Sequence, residues 1–171
     1  MEQIALKNRA EELGKVYFSK EEQLRLEKLD YRWNGRFRGK TAGVCRFKRT
    51  DKNTIYPVAI EISSKYMEMF PEMLDSVLLH EMIHAVLPWE EKHGAKFKQR
   101  AKEINRTLEP QGKPTITVRI PEEKALPKAY KYTYICTNCG QVYQRVRNPI
   151  NLRKNVCGKC RGKLKEVVLK E

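Results

Sequence analysis

The stretch Leu78-Leu79-His80-Glu81-Met82-Ile83-His84-Ala85-Val86 places two histidines four residues apart within an apolar run. In an α-helix, residues four apart differ by only about 40° around the axis, so both imidazoles can bind one metal ion. Glu81 points to a different part of the helix surface, where it can act on water instead of binding the metal. The His-Glu-x-x-His pattern therefore predicts a zinc site with an adjacent general base.

A zinc ion that keeps one position open for water needs a third protein ligand. His93 follows His84 by nine residues, and nine residues of extended chain at about 3.3 Å each are long enough to fold back onto the metal. The three histidines of the chain all lie within 14 residues. Glu103 is the alternative third ligand, whereas Glu90 and Glu91 are expected to be solvated loop charges.

Four helices are predicted from apolar spacing and from the signals at their ends. The helix with the two histidines runs over about Pro71–Leu87, because proline suits the first helical position and Pro88 ends the helix. A further helix follows over about Gly94–Leu108. Two earlier helices are predicted over residues 3–17 and, beginning with a Ser-x-x-Glu capping box, over residues 19–29.

Three strands are predicted between these helices from the alternation of apolar and polar residues. Tyr31–Phe37 and Val44–Phe47 are interpreted as two strands of a hairpin or meander. Val58–Ile62 forms a third strand, and Pro57 at its start favours an edge position. An edge strand beside the histidine helix can pair with the backbone of an extended peptide.

Four of the five cysteines form two CxxC pairs separated by 17 residues, namely Cys136 and Cys139, then Cys157 and Cys160. This spacing predicts a four-thiolate zinc site, with Gly140 and Gly158 supplying permissive backbone at the turns. A pair of redox dithiols is the alternative, but nothing around the cysteines resembles a thioredoxin βαβ unit. The fifth cysteine, Cys45, is predicted to be a buried structural thiol.

The formal net charge of +14 is distributed unevenly along the 171 residues. Residues 1–50 have a net charge of +6, residues 51–120 are neutral, and residues 121–171 have +8. Such an excess indicates a polyanionic partner, most often nucleic acid, or an anionic membrane surface. No apolar run is long enough for a membrane-spanning helix, and the N-terminal residues lack the apolar core of a signal peptide.

Basic and aromatic side chains alternate around the cysteine pairs, where they can contact phosphates and stack on bases. The candidate DNA contacts are Lys128, Tyr130, Lys131, Tyr132, Arg145, Arg147, Arg153 and Lys154. Tyr134 and Tyr143 are instead expected to pack around the second zinc ion.

These residues together resemble the SprT-like, or Spartan-like, family of zinc metalloproteases. The resemblance covers about Leu13 to Leu164. It rests on the histidine helix, on the two CxxC pairs, and on the motifs His93-Gly94-x-x-Phe97, Trp33 with Arg36, Ala42-Gly43-x-Cys45 and Ile60-x-Ile62-Ser63.

The resemblance implies an α+β fold with two domains. Residues 1–110 would form a minimal zincin-like metalloprotease domain of helices around a small three-stranded sheet. Residues 111–130, which are rich in proline, are expected to be a linker with one strand at Ile116–Ile120. Residues 131–171 would form a small, basic, DNA-binding domain of the zinc-ribbon type, built on the four cysteines.

The resemblance also implies the chemistry. His80, His84 and His93 would hold a catalytic zinc ion, the four cysteines a structural one, and Glu81 would be the general base on zinc-activated water. The expected activity is endopeptidase cleavage of proteins bound or crosslinked to DNA, a step in the repair of DNA damage. The DNA is expected to be single-stranded or to contain a junction.

The expected protein is a monomer that does not bind membranes. Its expected location is the cytoplasm, near the nucleoid, in a prokaryote, or the nucleus in a eukaryote. Two other functions stay open. A zinc-stabilised nucleic-acid-binding protein would need no Glu81, and a zinc peptidase of soluble proteins would need no basic segment.

Overall fold

A computed structural model of the chain describes residues 3–126 and 130–167. The chain divides into two compact units, Met1–Leu126 and Pro127–Glu171, and each is described by itself. Among the described residues, none of the helices combines the length and the apolar character that crossing a membrane would require.

The first unit contains five helices and a three-stranded sheet, which confirms the predicted α+β fold. The helices are α1 (Gln3–Tyr17), α2 (Lys20–Leu26), α3 (Ser64–Met69), α4 (Leu74–Val86) and α5 (Ala95–Leu108). The strands are β1 (Asp30–Trp33), β2 (Gly43–Arg49) and β3 (Ile55–Ile62).

The sheet has the order β1-β3-β2, with β1 parallel and β2 antiparallel to β3. The prediction that Val58–Ile62 forms an edge strand is therefore wrong, because these residues lie in the central strand. Pro57 is tolerated there because β1 pairs with β3 only from Ala59 onward, and because the register with β2 shifts between Arg46 and Phe47. The edge strands are β1 and β2.

The predicted pairing of the first two strands is also wrong. β1 and β2 lie on opposite sides of β3, and the hairpin is formed by β2 and β3. The turn of this hairpin is closed by the amide of Thr50, which donates to the carbonyl of Thr54 over 2.9 Å. Asn53 has a φ of 60°, a left-handed value that asparagine tolerates better than most residues.

Helix α4 is the central element of the core, since apolar residues occupy most of its surface. Leu78, Leu79, Met82 and Ile83 are completely buried. The sequence predicted the end of this helix well, whereas its start differs because Pro71–Met73 forms a separate turn of 3₁₀-helix. Its burial on several sides fixes the direction in which its polar residues point.

The segment after α5 does not behave as the predicted linker. Residues 111–126 belong to the first unit, and they contain no strand at Ile116–Ile120. Ile116 and Leu126 are buried in the core. The Asn105 side chain holds the segment, donating to the Ile116 carbonyl over 3.0 Å and accepting from the Ile116 amide over 2.7 Å.

The second unit has an antiparallel sheet of order β5-β4-β6, made of β4 (Tyr132–Cys136), β5 (Val142–Arg145) and β6 (Leu164–Val167). Its small interior contains the buried Tyr134, whose hydroxyl accepts a hydrogen bond from the Ile150 amide over 2.9 Å. Tyr134 thus packs inside the unit, as predicted.

Candidate metal centres and catalytic cleft

The three histidines meet at one point. Helix α4 supplies His80 and His84, and the loop between α4 and α5 supplies His93. The three Nε2 atoms are 3.0 to 3.2 Å apart. Hydrogen bonds cannot account for this triangle, because each ring nitrogen either donates or accepts and at least one of the three pairs is mismatched.

A metal ion accounts for it better. Nitrogens at about 2.0–2.1 Å from a tetrahedral zinc ion lie about 3.3–3.4 Å from one another, close to the observed spacing. Among the described residues of the first unit, these three are the group that could hold a metal. Glu103, the alternative ligand, is not in this group; it accepts a hydrogen bond from Gln99 and lies 3.7 Å from Arg100.

A hydrogen bond at Nδ1, the second ring nitrogen of His80, fixes the tautomer of this histidine. The carbonyl oxygen of Thr117 lies 2.9 Å from His80 Nδ1, and because a carbonyl only accepts, Nδ1 bears the hydrogen. The lone pair of Nε2 is therefore free for the metal. Burial lowers the pKa of His80 to about 3 and that of His84 to about 4, so both rings are neutral at physiological pH.

The loop that presents His93 is held by Glu91, which was expected to be solvated. Its Oε1 accepts a hydrogen bond from the Lys96 amide over 2.8 Å and thereby caps α5. A Cβ atom on Gly94 would lie 2.4 Å from the same oxygen and 2.9 Å from the backbone carbonyl oxygen of Glu91, so a larger residue would displace this loop. Lys92 has a φ of 45°, a strained value directly before the ligand.

The ring of Phe97 packs against all three imidazoles. Its ring centroid lies 4.7 Å from that of His80, 4.6 Å from that of His84 and 4.9 Å from that of His93. Phe97 is completely buried. It therefore restricts the ring positions and keeps water away from one side of the site.

Glu81 is the buried carboxylate of the site, with an exposed fraction of 6 %. Its Oε2 accepts a hydrogen bond from the Cys45 amide of β2 over 2.8 Å. Burial raises the pKa of Glu81 to about 8, and the hydrogen bond from Cys45 acts in the opposite direction. Like this hydrogen bond, a divalent cation beside the histidines would lower the pKa of Glu81 and favour the ionised carboxylate.

Gly43 allows this close approach of strand and helix. A Cβ atom at this position would lie 2.8 Å from Val77 Cγ1, and 2.9 Å from both Cγ and Oε1 of Glu81. The side chain of Cys45 is half-buried beside them, and burial followed by the charge of Glu81 raises the pKa of its thiol to about 12. Cys45 is therefore a neutral thiol in the wall of the site, less buried than predicted.

The histidines and Glu81 open into a cleft of about 890 Å³. Its lining includes residues 40–45 and Phe47, from the loop before β2 and from β2 itself. It also includes Thr115, residues 117–122, and Trp89 and Lys92 of the loop between α4 and α5. The cleft thus borders the edge strand β2.

The four cysteines of the second unit also converge. Their sulfur atoms all lie within 4.8 Å of one another, with Cys136 and Cys160 3.5 Å apart and Cys139 and Cys157 3.6 Å apart. Thiolates around a tetrahedral zinc ion are separated by about 3.8 Å, so the group fits this ion. The arrangement is consistent with the predicted structural site.

Residues next to the four cysteines favour metal binding by their sulfur atoms. The Tyr143 hydroxyl donates to Cys157 Sγ over 3.1 Å and lowers the pKa of this thiol to about 6, which favours the metal-binding thiolate. Gly140 has the expected left-handed φ of 70°, but the equivalent residue of the second turn is Arg161, with a φ of 58°, not Gly158. A Cβ atom on Gly162 would lie 3.0 Å from Cys136 Sγ.

The candidate DNA contacts lie on the surface of the second unit as far as the structure describes them. Tyr130, Lys131, Arg145, Arg147, Arg153 and Lys154 are exposed, and Tyr132 is half-buried. The ammonium group of Lys131 lies 5.5 Å from the centre of the Tyr132 ring. Lys128 lies outside the described residues. The sequence analysis missed the exposed apolar residues that lie among these basic residues, namely Val142, Val146, Leu152 and Val156.

Two units thus follow each other along the chain. The first is an α+β fold around a His-Glu-x-x-His helix, and the second is a small sheet that brings four cysteines together. The sequence model of the SprT-like family matches residues 6–120. The chain therefore belongs to the SprT-like family, which confirms the resemblance.

Three relatives, each named "Protein SprT-like", illustrate this similarity. The one from Oceanobacillus iheyensis is 37 % identical over 109 residues, covering 63 % of this chain and 68 % of the relative. The one from Geobacillus kaustophilus is 37 % identical over 107 residues, covering 62 % and 68 %. The one from Bacillus subtilis is 33 % identical over 170 residues, covering 98 % and 99 %. No solved structure matches the chain significantly.

Metal analysis of the zinc-loaded protein should give two zinc ions per chain, because two separate ligand groups have the required spacing. His93→Ala should leave one ion, and so should the double variant Cys136→Ser with Cys139→Ser. Glu103→Gln is the matched control and should retain both. One ion in the unaltered protein, or loss of an ion from Glu103→Gln, would contradict the assignment of ligands.

Proposed function

We propose that this chain is a zinc-dependent endopeptidase that cleaves proteins bound or crosslinked to DNA. The observation that carries the proposal is the position of Glu81, a buried carboxylate hydrogen-bonded to an edge strand beside three convergent imidazoles. A protein that only binds nucleic acid has no use for such a carboxylate at the bottom of an open cleft.

In this proposal His80, His84 and His93 hold the catalytic zinc ion, and Thr117 orients the first of them. When bound, zinc would polarise the scissile carbonyl and increase the acidity of water. Glu81 takes a proton from the attacking water. Because Oε2 accepts the hydrogen bond from the Cys45 amide, Oε1 is the oxygen that takes this proton.

Substrate binding is assigned to β2 instead of β3. Among the described strands β2 pairs with β3 alone, and residues 43–45 and Phe47 line the cleft. An extended peptide can therefore add to the free edge of β2 through main-chain hydrogen bonds, which give affinity with little sequence preference. Loose specificity of this kind suits an enzyme whose substrates share only their attachment to DNA.

The selectivity for DNA-bound proteins would come from the second unit. Residues 127–171 contain 11 basic and 2 acidic residues, a net charge of +9, and the described basic residues between Lys131 and Lys154 form no ion pair within the described part of the chain. Bound to DNA, the enzyme meets its substrates at high local concentration.

The proposal is tested by incubating the zinc-loaded protein with a basic DNA-binding protein, with and without single-stranded DNA. We expect cleavage that depends on DNA and that falls as salt rises, since each neutralised phosphate contributes about −0.7 to the log–log slope. Cleavage that is equal without DNA would favour a peptidase of soluble proteins. DNA binding without any cleavage would favour a nucleic-acid-binding protein.

A further inference from the structure

The positive charge of the N-terminal region is confined to a short stretch. Residues 1–35 contain seven basic and seven acidic residues, whereas residues 36–50 contain six basic residues and no acidic one. The whole net charge of +6 therefore belongs to the loop before β2 and to β2 itself. This stretch lies in the catalytic unit, far along the sequence from the four cysteines of the second unit.

From this distribution we infer that the catalytic unit has its own nucleic-acid contact, here called the basic edge. The basic edge consists of the exposed residues Arg36, Arg38, Lys48, Arg49 and Lys52. It rests on the proposed function, to which it adds a second place where DNA is held.

The basic edge is distinguished by the absence of acidic residues from positions 36–50, whereas some other basic residues of the unit are held in ion pairs. Arg9 pairs with Asp75, and Arg100 pairs with Glu22. Within the described part of the chain, none of the five side chains of the basic edge forms an ion pair, and the nearest acid in sequence is the exposed Asp51. Their charges are thus available to phosphates.

Two neighbouring residues of this stretch favour the binding of an extended polyanion. Arg46 is held by Glu61 over 2.9 Å, and its guanidinium lies 5.9 Å from the centre of the Phe37 ring. Phe37 stands between two arginines of the basic edge and is half-buried. An aromatic ring flanked by cations is a typical platform for stacking a base while the phosphates on either side are bound.

A membrane surface fits the basic edge less well than nucleic acid does. Interfacial binding combines basic residues with apolar side chains that enter the lipid. No large apolar side chain between residues 34 and 52 is among the exposed ones. An arginine-flanked phenylalanine that is half-buried supplies stacking without such insertion.

The location of the basic edge has a consequence for catalysis. Lys40, Gly43 and Phe47 belong to the same loop and strand and line the catalytic cleft. DNA bound along the basic edge would therefore pass beside the opening of the cleft. A protein attached to that DNA would be presented to Glu81 by the same strand that is proposed to align its backbone.

The test compares two full-length, zinc-loaded variants that lose the same charge. One is Arg36→Ala with Arg38→Ala, Lys48→Ala and Arg49→Ala. The control is Lys7→Ala with Lys15→Ala, Lys20→Ala and Lys28→Ala, which are exposed residues of α1, α2 and the turn after α2. Binding of a fluorescent single-stranded oligonucleotide is measured over a series of salt concentrations. Zinc content and thermal unfolding verify that both variants are folded.

We expect the basic-edge variant to bind at least tenfold more weakly than the control at low salt. Its log–log salt slope should be smaller by about 0.7 for each phosphate that the variant no longer neutralises. Equal affinity and slope for the two variants, with strong binding by the unaltered protein, would overturn the basic edge and leave the proposed function standing. A failure of the unaltered protein to bind DNA would overturn both.

Vesicles with and without phosphatidylserine provide the remaining arm of the test. Binding to anionic vesicles that depends on the basic edge, together with DNA binding that does not, would overturn the inference in favour of a membrane surface. The inference would be supported if DNA binding depended on the basic edge and vesicle binding did not.

Discussion

Replacing Glu81 with glutamine should reduce peptide-bond cleavage by at least about 10²-fold, the lower end of what a general base contributes. The reason is chemical, because an amide cannot take the proton of the attacking water. The shape of the site should persist. A glutamine oxygen can still accept the hydrogen bond that the Cys45 amide gives to Glu81.

Three measurements make this prediction specific. Cleavage of a DNA-bound protein should be almost lost, the zinc content should remain that of the unaltered protein, and DNA affinity should be unchanged. Glu90→Gln is the matched control, since Glu90 is an exposed carboxylate in the loop between His84 and His93. Activity of Glu81→Gln within a few-fold of the control would show that another group is the base.

Replacing Gly43 with alanine should also impair catalysis strongly, although Gly43 has no side chain that could take part in the reaction. The added Cβ atom would lie 2.9 Å from Glu81 Oε1 and 2.8 Å from Val77 Cγ1. Both neighbours are buried, so the strand or the carboxylate must move. A displacement of about 1 Å near reacting groups can reduce rates by about 10²-fold.

Overpacking of this kind typically also costs about 1–3 kcal/mol of stability. The prediction is therefore tested on folded protein at a temperature well below unfolding. We expect kcat to fall by a larger factor than the factor by which KM changes, and we expect zinc to be retained. Gly14→Ala is the control, because its Cβ atom would lie 3.7 Å from Met82 Cε and 3.9 Å from Gln23 Cγ, which are ordinary contacts. Equal kcat for the two variants would mean that Gly43 has no role in positioning Glu81.

The sequence was most informative where function depends on local spacing. Two histidines four residues apart on an apolar helix and two CxxC pairs predicted groups that do converge in the structure, because helix and turn geometry determine such short distances. The third histidine was predicted from the reach of nine residues and from the clustering of all three histidines within 14 residues, and it too lies with the others. None of these steps needed knowledge of distant contacts.

Contacts between distant parts of the chain limited the other predictions. Pro57 suggested an edge strand, but the order of the sheet depends on pairing across more than 20 residues, and a shift in register accommodates the proline. The prolines of residues 111–130 suggested a linker. Two widely spaced apolar residues and the side chain of Asn105 instead bind the described part of this segment to the first unit.

The hydrogen bond between Thr117 and His80 limits where the first unit of this chain can be cut. A fragment ending at residue 110 would retain every histidine and Glu81, yet it would lack the carbonyl that holds the His80 tautomer and one wall of the cleft. Because Leu126 is buried in the same core, a fragment that keeps these contacts extends to Leu126. Any recombination that exchanged the cysteine-containing tail for another one would preserve the metal centre only if its breakpoint lay beyond that residue.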